Sequence, residues 1–242
     1  MQRDKNGLPW PAEENHQMQK FNYRTLLISG KQGSGKTTLQ NEIAMTWQSR
    51  IKGGRAITVN FADVIYQMHD LCLNVLERYH YRGIKKDGKL LQLLGTEWGR
   101  KTIADNIWVS VLKNRINELI LNNSHHANLL FIIGDCRFRN EFDGFPEALR
   151  IRLECPRDIR KERCPAWRDT ETHPSEIDLD EYAKFSEGEQ LSFMSFFKTN
   201  EKPKTKFDLT FHTDLDSINH CVEITMNELL AFNWLNSRKT NE

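Results

Sequence analysis

The sequence predicts an α/β domain: a five-stranded parallel sheet with helices on both faces. Three observations predict it. Short apolar runs of strand length alternate with amphipathic stretches of helix length, an order that requires parallel pairing and crossover helices. One run, NLLFIIGD (128–135), is apolar without interruption from Leu129 to Ile133, as a strand buried on both sides must be. The chain has 242 residues, enough for one such domain with an insertion and short for two domains.

The elements follow in order. Residues 1–22 are polar around Pro9-Trp10-Pro11 and read as an N-terminal extension, leaving 23–242 as the folded body. YRTLLIS (23–29) is the first strand. KTTLQNEIAMTWQSR (36–50) is a helix whose apolar stripe is Leu39, Ile43, Met45 and Trp47. RAITVNFAD (55–63) reads as the second strand, with β-branched Ile57, Thr58 and Val59. VIYQMHDLCLNVLERYH (64–80) repeats Ile65, Met68, Leu71, Cys72, Val75 and Leu76 at three- and four-residue spacing, a helix. A loop, YRGIKKDGK (81–89), leads into LLQLLGTEWGRKTIAD (90–105), and IWVSVLKNRINELIL (107–121) is a further helix. After the strand at 128–135, ALRIRLECP (148–156) alternates and stops at Pro156, and FDLTFHT (207–213) is the fifth strand. A closing helix covers 215–235. Repeats and low-complexity tracts are absent.

Between the first strand and its helix lies SGKQGSGKTT (29–38). Gly30, four residues, Gly35, Lys36 and Thr37 satisfy G-x-x-x-x-G-K-[ST], with Gly33 between them. Glycines let the backbone turn tightly and aim N–H groups, those of Ser34 and Thr38 among them, at phosphate oxygens. Lys36 then reaches the terminal phosphates of ATP, and the Thr37 hydroxyl can bind Mg²⁺. Strand, glycine loop and helix N-terminus together make an anion site. The loop says that a phosphate chain is bound, and leaves open whether the phosphoryl group goes to water or to an acceptor.

Composition excludes several partners. Lys and Arg number 34 against 33 Asp and Glu, so no global field favours nucleic acid or an anionic membrane. No stretch reaches the ~18 apolar residues of a membrane span, and MQRDKNGLPW lacks the apolar core of a signal peptide. Five cysteines, odd in number and never in C-x-x-C spacing, suit the reducing cytoplasm. Cys155, Cys164 and His173 lack the paired spacing of a zinc site. His125-His126 falls in a polar turn before a strand, where solvation rather than catalysis is expected.

Ligands in open parallel sheets sit beyond the carboxyl ends of the strands. Asp135 is at such an end, where it would hold Mg²⁺ directly or through water. Asp63 is at another, where it reads equally as a helix N-cap and as a site residue. GTEWGRK (95–101) reads either as a helix interruption packed by Trp98 or as a base platform with a phosphate-binding Arg100. Segment 150–168 holds Arg150, Arg152, Arg157, Arg160, Arg163 and Arg168 with Lys161. Arginines three apart on a helix repel unless solvated, and become useful when a phosphoryl group lies between them. DTETHPSEIDLDEYAKF (169–185) is acidic, so residues 156–185 read as a lid insertion with a basic stem and an acidic tip. A chain that carries its own arginines can close over its ligands and exclude water, which favours transfer to a bound acceptor.

LLQLLGTEWGR (90–100), GDCRFRNE (134–141) and THPSEIDLD (172–180), in this order behind the glycine loop, resemble the deoxynucleoside monophosphate kinases of tailed bacteriophages. These belong to the adenylate-kinase-like group of P-loop kinases. The resemblance spans about residues 24–185 and implies a P-loop kinase fold and transfer of the ATP γ-phosphoryl group to a dNMP. By that likeness Gly30, Gly33, Ser34, Gly35, Lys36, Thr37, Thr38 and Arg160 would bind ATP, and Thr37 and Asp135 the Mg²⁺. Asp63, Trp98, Arg100, Asp135, Arg137, Arg168 and Glu176 would bind the acceptor, with His173 and Ser175 shaping the far end of the lid. Lys36, Arg160 and Arg163 would be catalytic. Partners implied are a nucleoside monophosphate, with no nucleic acid and no membrane, and a homodimer stays open. Two other readings stand beside this one: a P-loop kinase for another small metabolite, and a P-loop ATPase switch with a protein partner.

Overall fold

The computed structural model describes residues 23–80, 86–165, 167, 174–183 and 206–238; the N-terminal extension with Trp10, and Arg168 and His173 of the expected site, lie outside the described residues. Five strands form one sheet: β1 (Tyr23–Gly30), β2 (Gly54–Val59), β3 (Asn128–Ile133), β4 (Leu149–Glu154) and β5 (Leu209–His212). Their order is β2-β3-β1-β4-β5, and every pair is parallel, with Leu26 opposite Ile132 on one side and Leu149 on the other. The five parallel strands expected from the sequence are all present.

Side chains alternate across the sheet, so one strand feeds two cores. Leu26, Ile28, Leu130 and Ile132 pack against Leu39, Ile43 and Trp47 of α1 (Lys36–Arg50) and against Cys221, Val222, Met226 and Leu229 of the C-terminal helix (Ile218–Arg238). Leu27, Leu129, Phe131 and Ile133 face the other way, against Trp108, Val109, Leu112, Ile116 and Ile120 of α4 (Ile107–Asn122) and Ile65 of α2 (Asp63–Arg78). Helices thus cover both faces. Among the described residues, no helix is long and apolar enough to cross a membrane.

Two segments differ from the sequence expectation. The second strand ends at Val59, not at Asp63, because the Phe61 and Ala62 amides turn out of the sheet to the Asp135 carboxylate, at 2.9 and 3.0 Å. In 90–105, a short α3 (Gly88–Gln92) passes into a π-helix over Leu93–Ile103. The cause is Trp108. Its ring lies so close that a Cβ on Gly99 would stand 2.3 Å from Cζ2, and its Nε1 donates to the Gly95 carbonyl at 2.8 Å. The wider turn releases that carbonyl, and the Ala104 amide bonds the Gly99 carbonyl five residues back at 3.1 Å. Packing of this interruption by Trp98 is therefore corrected: Trp108 packs it, while Trp98 is 44% exposed.

Four further short helices, α5 (Arg139–Asp143), α6 (Arg157–Arg163), α7 (Pro174–Ile177) and α8 (Asp180–Ala183), follow β3 and β4; α9 is the C-terminal helix, Ile218–Arg238.

Candidate phosphate-binding site

The loop between β1 and α1 turns through two left-handed glycines, Gly33 at φ +78° and Gly35 at φ +93°. A Cβ on Gly33 would stand 2.5 Å from the Arg160 carbonyl, whereas one on Gly35 would meet nothing within 4 Å. The loop is thus packed on α6 at Gly33 and open at Gly35. Ser34 is buried, and its Oγ has no hydrogen-bond partner among the described residues. Thr37 and Thr38 are exposed in the first turn of α1.

Lys36 folds back on its own loop and donates to the carbonyls of Gly30 and of Lys31, the latter at 2.9 Å. Burial lowers its pKa to about 8, helped by the charges of Arg137 and Arg152 and opposed by Glu176 and Asp135. Asp135 and Arg137 follow β3, Arg152 lies on β4 and Glu176 in the acidic segment, and these are the charges that act on this ammonium. Asp135 stands just beyond the carboxyl end of β3; burial raises its pKa, against the Ala62 and Phe61 amides that favour its charged form. Asp63 accepts from the Asn60 amide at 3.0 Å and the Asn60 side chain at 3.1 Å, so its carboxylate is engaged at the start of α2.

These residues fit a nucleoside triphosphate: an open glycine turn, a buried unpartnered hydroxyl and an ammonium deprived of water are what a phosphate chain would satisfy. Among the described residues, no three His, Cys, Asp or Glu side chains gather as a metal site. A cation would therefore rest on Thr37, Asp135 and the phosphates themselves, the hard oxygen set that Mg²⁺ prefers.

The acidic segment lies on this loop. Glu176 accepts from the Gln32 amide at 3.0 Å and pairs with Arg137 at 2.9 Å, while Ser175 Oγ is 3.5 Å from the same guanidinium. Asp180 bridges Lys31 at 2.9 Å and Arg152 at 2.8 Å. Asp178 accepts from the Arg139 amide at 2.7 Å. The acidic tip therefore sits on the mouth of the phosphate loop. Arg152 is buried on β4, where it also holds Glu154 at 2.7 Å and Ser29 Oγ at 3.3 Å.

Arg160 and Arg163, expected as catalytic lid arginines, both make contacts within the chain. Arg160 is 4% exposed and donates to the carbonyls of Cys155 at 3.0 Å and Gln32 at 3.1 Å. Trp167 lies 5.4 Å from its guanidinium and 5.9 Å from that of Arg157, so an aromatic face relieves the repulsion between them. Arg163 donates to Thr213 at the end of β5, whose hydroxyl donates to the Ser34 carbonyl at 3.1 Å. Arg160 thus braces the loop at the Gln32 carbonyl directly, and Arg163 does so through Thr213, whose hydroxyl holds the Ser34 carbonyl.

Arg100 leaves the π-helix toward α5, stacks 4.0 Å over the Phe138 ring and pairs with Glu141 at 2.5 Å. Glu141 also accepts from the Arg137 and Phe138 amides at 2.8 and 3.1 Å. Arg100 Nε is buried without a partner among the described residues. GTEWGR and DCRFRNE thus meet on one carboxylate. Sequence reasoning assigns no individual role to Glu141, Asp180 or Thr213 and names Arg152 only among the arginines of 150–168. Glu141 and Asp180 close the motifs GDCRFRNE and THPSEIDLD, and alternation along ALRIRLECP puts Arg152 opposite the apolar face; Thr213 has no such signal.

No family model matches the chain, and no curated protein sequence matches it. Among solved structures, APE1195 is similar at 14% identity and TM-score 0.43, over 87% of this chain and 96% of that one. A shikimate kinase from Bacteroides thetaiotaomicron is similar at 16% identity and TM-score 0.38, over 86% of this chain and 98% of that one. TT1252 from Thermus thermophilus is similar at 13% identity and TM-score 0.41, over 87% and 97% of the respective chains.

Proposed function

We propose that this chain is an ATP-dependent kinase that phosphorylates a nucleoside monophosphate, a deoxynucleotide by its motifs, to the diphosphate. One observation carries the reading. The Gln32 amide of the loop and the Arg137 guanidinium converge on one carboxylate, Glu176, at 3.0 and 2.9 Å, and Asp180 joins Arg152 to Lys31 of the loop, so arginines from the chain itself stand at the mouth beside Lys36. A single triphosphate is served by the loop alone; a further set of cations beside it suits a second anion, the acceptor phosphate.

In this reading the glycine loop and Lys36 hold the triphosphate, and Arg137 and Arg100 hold the acceptor phosphate with Trp98 beside its base. Thr37 and Asp135 would hold Mg²⁺, which would supply charge neutralisation on the transferring group when bound. An acceptor phosphate oxygen attacks the γ-phosphorus, the bond to the β–γ bridging oxygen breaks, and ADP leaves. The attacking oxygen is already anionic near neutral pH, so no general base is needed, and the residues contribute position and charge. The cytoplasm suits this activity and the five free thiols.

A kinase for a hydroxyl acceptor is the second reading, favoured by the raised proton affinity of Asp135, which would then take the hydroxyl proton. A coupled ADP assay with Mg·ATP across the common NMPs, dNMPs and small hydroxyl metabolites separates the readings. ADP release that depends on a monophosphate supports the proposal. Release that needs a hydroxyl metabolite, or no acceptor at all, overturns it.

A further inference from the structure

Glu141 is 2% exposed and belongs to neither the triphosphate contacts nor the acidic tip. Its two oxygens divide their work. Oε1 takes the Arg100 guanidinium at 2.5 Å, and Oε2 takes the main-chain amides of Arg137 and Phe138 at 2.8 and 3.1 Å. The carboxylate therefore ties the side chain of one arginine to the backbone of the other, from segments 41 and 4 residues away. Phe138, whose amide it holds, presents the ring that lies 4.0 Å under the Arg100 guanidinium. Arg100 is thereby held on two sides, the ring setting its plane and the carboxylate its rotation, while the other oxygen of the same carboxylate holds the Arg137 backbone. One buried edge of the guanidinium, at Nε, has no partner among the described residues.

We propose that Glu141 is the positioning residue of the acceptor site, holding Arg100 and Arg137 in register so that one phosphate meets both. This rests on the monophosphate-kinase reading. A carboxylate that only neutralised Arg100 would need no contact with the Arg137 backbone, and one that only capped α5 would need no arginine. The joint contact is what positioning requires, because a bidentate clamp loses its advantage when its two arms are misaligned.

The test is steady-state kinetics of full-length E141Q with Mg·ATP and the best acceptor of the nucleotide panel, beside R100Q and the double variant R100Q/E141Q. Glutamine keeps the shape and removes the charge. The expected result is an acceptor KM raised at least about tenfold, with kcat and the ATP KM within about twofold, since uniform binding of the acceptor is what is lost. In the double variant the acceptor KM should match that of R100Q alone, because Glu141 acts through Arg100. Should E141Q fail to melt cooperatively, the double variant decides, since it leaves no unpaired buried charge. An unchanged acceptor KM in E141Q, or a wild-type KM in the double variant, overturns the proposal while leaving the kinase reading intact. Absence of monophosphate turnover in the wild type overturns both.

Discussion

Glu176 accepts a hydrogen bond from the Gln32 amide of the phosphate loop at 3.0 Å, across 144 residues of sequence. The same carboxylate pairs with Arg137, so an anion supplied by the chain sits where a loop amide and a guanidinium converge, the two donors that the proposed function gives to phosphate.

A phosphate ligand that uses either donor must displace that carboxylate. Glu176→Gln removes the charge and weakens the competitor, so ATP or inorganic pyrophosphate should bind more tightly, by about three- to tenfold, the net range of one hydrogen bond. Isothermal titration of the two proteins at equal ionic strength measures it. Weaker binding in the variant would instead make Glu176 a direct ligand contact.

Lys36 carries two predictions. Lys36→Ala should reduce phosphoryl transfer by at least about 10³-fold without lowering the melting temperature, because its ammonium bonds only loop carbonyls and is held at a desolvation cost. A variant with near wild-type transfer would exclude the loop mechanism.

The second concerns protons. The folded-state pKa of Lys36, about 8, lies below the ordinary lysine value of 10.5, so between these values the unfolded chain binds more protons. Lys36 therefore contributes a stability that rises with pH across that window and a penalty that is complete below it. Phosphate binding restores the ammonium, so ATP binding near pH 9 should take up protons. Titrations in buffers of different ionisation enthalpy read the uptake, and it should vanish in Lys36→Ala.

Arg160→Ala should cost about 2–4 kcal/mol in urea unfolding, because a buried guanidinium that satisfies two carbonyls is removed and leaves them unpaired. Arg163→Ala, exposed at Thr213, should cost under about 1 kcal/mol. Equal stability of both variants, with kcat alone reduced, would return Arg160 to the role of a lid arginine.

The strands, α1 and the phosphate loop were legible because their signals are local: glycine spacing, period two, period 3.6. The arginines were not. Arg152 and Arg160 differ in sequence only by context, yet one meets Asp180 and the other the Gln32 carbonyl, and both partners come from distant segments. The end of β2 was misplaced for the same reason, since the amides that would continue the strand go to Asp135. An eleven-residue π-helix is too short for its wider turn to stand out from an α-helical pattern in sequence; it exists here because α4 presses a tryptophan against it.

That packing yields the last prediction, a contrast between two tryptophans and two glycines. Trp98 is 44% exposed, so Trp98→Ala should leave the melting temperature within a few degrees while raising the acceptor KM, if the indole stacks on the base. Trp108 is 3% exposed, and Trp108→Ala should cost about 3–5 kcal/mol through the cavity it leaves. Trp108→Phe tests the hydrogen bond separately: the ring volume largely remains and the Gly95 carbonyl loses its donor, for about 1–3 kcal/mol. On the facing side, a methyl on Gly99 would stand 2.3 Å from the indole and 2.8 Å from the Leu94 carbonyl, neither of which can yield, so Gly99→Ala should destabilise by more than about 2 kcal/mol. A methyl on Gly95 meets only the end of the Ile65 side chain, at 3.2 Å, which can rotate away, and Gly95→Ala should cost under about 1 kcal/mol. Chemical denaturation of the five variants gives the order directly. If Gly99→Ala proves as mild as Gly95→Ala, the close seat of α4 on the π-helix is wrong, and with it the account of how Arg100 is carried to Glu141.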